Sequence, residues 1–112
     1  MIYTSYFGNS KKWKNMSVIS IARYTPKGLD ILMYPPLYPP ADLLWAYKNG
    51  RINQEEYVNW YTKAVLNHLD VKEEAKGLDE WVLLCYEKSE DFCHRNIIAK
   101  WFRDNGYECR EL

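Results

Sequence analysis

W-V-L-L-C-Y-E-K-S-E-D-F-C-H-R-N-I-I-A-K-W-F, residues Trp81 to Phe102, opens as an apolar run, breaks into chemically active side chains and resumes at helical spacing. Trp81 to Cys85 carries no charge, is short and is rich in aliphatics, which suits a strand buried on both faces, as in a parallel sheet. Ser89 and Asp91 both suit an N-cap. With Asp91 in that role, Phe92, Cys93 and His94 occupy the first turn of the helix that follows. That helix is expected to cover His94 to Asn105 and to stop at Gly106, with Ile97, Ile98, Trp101 and Phe102 as its buried stripe. Strand, site and helix thus follow one another. Cys85 and Glu87 stand at the strand end, and Cys93, His94 and Arg95 stand in the first turn. In an open α/β sheet, ligands bind outside the carboxyl ends of the strands, where this turn belongs.

Each polar residue here has a chemistry to offer. First-turn amides lack partners within the helix and lie at the positive end of its dipole, so they attract anions. Arg95 adds a forked charge suited to phosphate or carboxylate, and because cations avoid a helix N-terminus, its presence calls for an anionic partner. Cys93 sits where a thiol pKa should fall, which makes it a candidate nucleophile beside His94. Glu87 could serve as general base or grip a ligand's sugar or base. Cys85, Cys93, His94 and Glu87 are all competent zinc ligands, yet adjacent helical residues point about 100° apart. Cys93 and His94 are therefore not expected to share one tetrahedral ion, and no metal is assigned. Spacing alone would allow a Cys85 to Cys93 disulfide, which a cytosolic setting disfavours.

The same residues carry a family resemblance. L-L-C-Y-E-K-S-E-D-F-C-H-R followed by I-I-A-K-W-F resembles the signature of domain-of-unknown-function family 488, a C-x-E then C-H-R pattern ahead of a helix. I-Y-T-S-Y-F at the N-terminus, I-S-I-A-R-Y-T-P at Ile19 to Pro26 and A-Y-K-N-G-R-I-N-Q-E-E-Y-V-N-W-Y at Ala46 to Tyr61 extend the likeness over most of the chain. By position it implies Arg23, Cys85, Glu87, Cys93, His94 and Arg95 as site residues. It also implies a small α/β domain, and no settled activity. The chain departs from the pattern at Ala22, where many members have an acidic residue and valine before the arginine. It departs again at Gly8 to Asn15, where many have a full helix.

Elsewhere, Ile2 to Phe7 and Ser17 to Arg23 are short strand-like runs. Their link of about nine residues is short of the dozen usual for a parallel crossover, so either the link is tight or the two strands pair differently. Tyr34 to Pro40, Y-P-P-L-Y-P-P, is expected to run extended over the body as a stiff loop. Asp42 to Asn49 reads as a short helix. Asn53 begins a longer one with Glu56 as its capping-box partner and Tyr57, Trp60, Tyr61, Ala64, Val65 and His68 on one face. Val71 to Leu78 suits a further helix, and Glu108 to Leu112 a terminal edge strand. His68 reads as a core histidine and Cys109 as structural. The expected fold is a small Rossmann-like α/β sheet, mostly parallel and covered by helices, in a single domain over residues 1–112.

Composition narrows the function classes. The chain has 112 residues, 47% of them hydrophobic, which is enough for one core. Fifteen basic residues balance fifteen acidic ones, which argues against a dedicated nucleic-acid backbone binder even with the K-K-W-K cluster at Lys11 to Lys14. No apolar run reaches the length of a membrane span and the N-terminus does not read as a secretory signal, so a cytoplasmic protein is expected. The residues name neither a cofactor nor an oligomeric state. Together they point to recognition of a small anionic ligand, a nucleotide or nucleotide derivative. In that reading Arg95 and the first-turn amides hold phosphate, Glu87 bonds sugar or base, and Arg23 closes the other side. Two alternatives stay open: a cysteine-dependent or acid/base enzyme using Cys93, His94 and Glu87, and a protein-interaction module presenting Y-P-P-L-Y-P-P.

Overall fold

The computed structural model describes residues 1–86 and 92–112. At its centre lies β4 (Trp81–Cys85), paired in parallel with β1 (Ile2–Tyr6) on one side and β2 (Ser17–Ser20) on the other. The edges are β3 (Leu32–Met33) beyond β2 and β5 (Cys109–Glu111) beyond β1, giving the order β3-β2-β4-β1-β5 with every pairing parallel. This is the expected α/β, Rossmann-like sheet. The two-residue β3 was not anticipated, since Leu32 and Met33 are too short a run to signal a strand.

Because side chains alternate along a strand, β4 feeds two cores. Leu83 and Cys85 join the larger core under the helices, whereas Val82 and Leu84 pack with Trp13 on the opposite face. All four are fully buried. Burial of an aliphatic side chain of this size is worth about 1.5–3 kcal/mol, so an unbroken apolar run is what a strand covered on both faces needs.

The short link between β1 and β2 is explained by what it crosses. The two strands do not pair with each other; β4 lies between them. Residues 7–16 pass over it as a 3-10 turn, Phe7–Asn9, that runs into one short helix, α1 (Ser10–Trp13). Trp13 fixes that turn by packing on Val82 and Leu84 and by donating its indole N–H to the Tyr6 carbonyl at 3.0 Å. The middle of the K-K-W-K cluster is therefore a core anchor.

Helices α2 (Ala41–Lys48), α3 (Gln54–Ala64), α4 (Val71–Gly77) and α5 (His94–Asp104) supply the larger core. The expected capping box opens α3, with Asn53 Oδ1 accepting from the Glu56 amide at 2.8 Å and Glu56 Oε1 accepting from the Asn53 amide at 3.1 Å. Helix α5 buries Ile97, Ile98 and Phe102, and Trp101 is half-buried beside them. Gly106, at φ 88°, takes the left-handed turn that ends it, its amide bonded to the Arg103 carbonyl.

Two expectations are corrected. Tyr34 to Pro40 does not run extended throughout: Pro35–Leu37 form a 3-10 turn, because proline is tolerated in the first positions of a helical turn, where no amide donor is required. Burial of Leu37 and the 2.7 Å hydrogen bond from Tyr61 Oη to its carbonyl fix the turn. His68 is exposed rather than core, because α3 stops at Ala64 and the chain tightens into a 3-10 turn that breaks the helical register. Among the described residues, no helix is long and apolar enough to cross a membrane.

Candidate functional site

Cys85 ends β4, and the chain returns to the same point at Cys93 and His94, where α5 begins. All three side chains are buried, and their Cys85 Sγ, Cys93 Sγ and His94 ring nitrogen lie within 4.8 Å of one another. The helix starts at His94, as expected, but its first turn does not reach back to Phe92 and Cys93. Cys93 is itself the N-cap, with an extended backbone at φ −155° and ψ 155°, and Asn96 Oδ1 accepts its amide hydrogen at 3.1 Å. The 100° rule for neighbouring helical side chains therefore does not govern Cys93 and His94: Cys93 Sγ lies 3.5 Å from His94 Nδ1.

His94 is held in one tautomer. Its Nε2 lies 2.8 Å from the Ile21 carbonyl, an acceptor only, so Nε2 carries the proton. Nδ1 then presents a lone pair to the Cys93 sulfur. The Tyr61 ring packs on the imidazole with centroids 5.8 Å apart.

Arg95 has its anionic partner inside the protein. The side chain is fully buried, Nε donates to Glu111 Oε1 at 3.1 Å and Oε2 at 3.2 Å, and Nη1 donates to Cys85 Sγ at 2.8 Å. Its guanidinium also lies 5.9 Å from the centre of the Tyr6 ring. Burial disfavours the charge, but Cys85 and Glu111 more than offset this and hold the guanidinium above its ordinary value. Glu111 also accepts from Thr4 Oγ1 at 2.6 Å, which ties β5 to β1.

Cys93 does not behave as the helix dipole alone predicts. Burial pushes its thiol well above the usual range, the hydrogen bond with Cys85 adds to this, and His94 opposes it without reversing the direction. Roughly half a unit of charge at a helix end is outweighed by loss of water around a thiolate. The expected lowering is overturned.

A cavity of about 470 Å³ opens at the carboxyl ends of β2 and β4, with Cys85, Cys93 and His94 on its buried floor. Its wall is an aromatic cluster. Phe92 sits 5.1 Å from the Tyr57 ring and 5.5 Å from that of Tyr47, and the two tyrosines are 5.2 Å apart. Arg23 and Lys48, both exposed, stand at the mouth. Arg23 Nε donates to the Pro39 carbonyl at 3.0 Å, which fixes the plane of its guanidinium. Among the described residues the lining does not include Arg95.

Of the residues singled out from sequence, the fold brings Arg23, Cys85, Cys93 and His94 to one cavity and gives Arg95 a supporting place behind Cys85. Glu87 lies outside the described residues, as do the two N-cap candidates Ser89 and Asp91. Tyr47, Lys48 and Tyr57 were not foreseen as lining. Tyr57 was legible as a buried-face residue of α3, but nothing local marks Tyr47 or Lys48. All three cysteines are free.

No curated protein and no solved structure gives a significant match to the chain. The family model DUF488-N3a, described as the active DUF488-N3 subclade, matches residues 2–106, and the chain belongs to that family.

Proposed function

We propose that the protein binds a small anionic molecule bearing an aromatic group, a nucleotide or nucleotide derivative, in the cavity at the strand ends. The observation that carries this reading is the pairing of an aromatic wall, Tyr47, Tyr57 and Phe92, with two cations at the mouth, Arg23 and Lys48. About 470 Å³ falls within the range of cavities that enclose small ligands. A base stacks on ring faces whatever its identity, and phosphate is met by charge-assisted hydrogen bonds. In this reading the phosphate contact passes from Arg95, whose charge Glu111 answers, to Arg23 and Lys48.

Isothermal titration and thermal melts with a panel of nucleoside mono- and diphosphates test it. Binding should weaken on the order of tenfold in Arg23→Ala and in Lys48→Ala, as loss of one charge-assisted contact implies. Nucleosides without phosphate should bind more weakly than their phosphates. If no nucleotide in the panel shifts the melt, the reading fails.

The enzyme reading, in which Cys93 and His94 act on that ligand, is favoured by one contact, Cys93 Sγ to His94 Nδ1 at 3.5 Å. With Nε2 donating to the Ile21 carbonyl, Nδ1 of the neutral imidazole could take the thiol proton as general base. Conversion of a bound nucleotide during incubation, abolished in Cys93→Ala, would support it; an unchanged nucleotide would leave a binding module. The interaction reading loses ground because Leu37 of the Y-P-P-L-Y-P-P segment is buried in the core and Pro39 is buried against the cavity.

A further inference from the structure

We propose that Cys85, Cys93 and His94 form a zinc site with one coordination position open to the cavity. This goes beyond the nucleotide reading and does not depend on it, since it stands on three side chains and their supports.

Geometry comes first. In a tetrahedral zinc site with Zn–S near 2.3 Å and Zn–N near 2.0–2.1 Å, the ligand atoms stand about 3.5–3.8 Å apart. Cys93 Sγ and His94 Nδ1 are already at 3.5 Å, and no pair in the trio exceeds 4.8 Å. Closing the set needs about an ångström of movement, within reach of χ rotation in the thiol side chains. Two features of the fold produce this approach. Cys85 is delivered by a strand end, and Cys93 is an extended N-cap whose side chain is free of the helical projection that would separate it from His94.

The ligand supports point the same way. A metal-binding imidazole needs its other nitrogen protonated and anchored, and His94 Nε2 meets the Ile21 carbonyl at 2.8 Å, leaving Nδ1 for an ion. Metal-bound thiolates commonly accept hydrogen bonds, and Arg95 Nη1 donates to Cys85 Sγ at 2.8 Å. Charge is balanced: a divalent cation offsets two thiolates, and Glu111 offsets Arg95. Thiolate and imidazole donors in a small closed set select zinc over magnesium or calcium, which take oxygen ligands. All three residues line the cavity, so the fourth corner faces the space a ligand would fill. Three protein ligands with one open position is the arrangement of catalytic rather than structural zinc.

The test uses the reduced, metal-stripped chain. Zinc added in competition with a chromogenic chelator should bind at one ion per chain, and cobalt in its place should give thiolate-to-cobalt charge-transfer absorption. Cys85→Ser and Cys93→Ser should each lose that absorption, and Cys109→Ser should keep it. As a readout on the unaltered chain, in case the site variants fail to fold, zinc should slow alkylation of Cys85 and Cys93, mapped by peptide mass spectrometry, with little effect on Cys109. Absence of the charge-transfer band, or equal protection of all three thiols, overturns the inference. A chain that takes no zinc yet binds nucleotide overturns it and leaves the cavity reading standing.

Discussion

Arg95 bridges Cys85 and Glu111, donating to the sulfur at 2.8 Å and to the carboxylate at 3.1 Å, and so locks the end of β4 and the start of α5 to the edge strand β5. The cation at the helix N-terminus is answered by a side chain that only the last strand can supply.

The first prediction concerns that bridge. An anion-binding Arg95 on the surface could be removed at no cost in stability, since a cation at a helix N-terminus is unfavourable without an anion. A buried one cannot. Breaking a buried ion pair costs about 3–5 kcal/mol, and because Glu111 keeps partial contact with water, Arg95→Ala should lose about 2–4 kcal/mol in urea unfolding. Parent-like stability would show that the Glu111 pair contributes nothing.

Trp13 anchors the crossover over β4. Its truncation to alanine leaves a cavity against Val82 and Leu84 in the smaller core, with an expected loss of about 3–5 kcal/mol. Lys12→Ala, on the exposed side of the same turn, should stay within about 0.5 kcal/mol of the parent. Equal effects would mean that the turn is not held by the indole.

Helix α3 depends on its capping box. Asn53→Ala should cost about 1 kcal/mol and Asn53→Gly only a few tenths. Chemical denaturation of the two variants side by side resolves the difference, and equal losses would deny the side-chain cap a role.

Alkaline pH should destabilise the fold. Burial pushes the Cys109 thiol from 9.0 up to about 11, and burial together with the Glu74 hydrogen bond pushes Tyr34 from 10.0 to about 12. Both groups hold their protons more tightly when folded, so unfolding releases them. Their contribution is full below the unfolded values and is lost as the pH rises through the folded ones. Urea midpoints of the metal-stripped chain should therefore fall between about pH 9 and about pH 11, and Cys109→Ala should flatten that decline relative to its own value at neutral pH.

The sequence by itself determined the elements with local causes. Trp81–Cys85, short, uncharged and rich in aliphatics, suits a strand covered on both faces. The spacing of Ile97, Ile98 and Phe102 made α5, and Asn53 with Glu56 fixed the start of α3. It also placed Cys85 at a strand end and Cys93 and His94 at the start of the next helix, but helical projection alone would have kept Cys93 and His94 apart; their approach comes from the extended backbone of Cys93. What a side chain does at that meeting point depends on neighbours distant in sequence, and only the tertiary structure decided it. Glu111 arrives from the C-terminal edge strand to take the charge of Arg95. Ile21, beyond β2, fixes the tautomer of His94. Cys93 is buried where the start of α5 meets the end of β4, and burial there outweighs the helix dipole. Hydrophobic periodicity is a local property of the chain, whereas a pKa and a partner are properties of the field and solvent at a point, to which every packed element contributes.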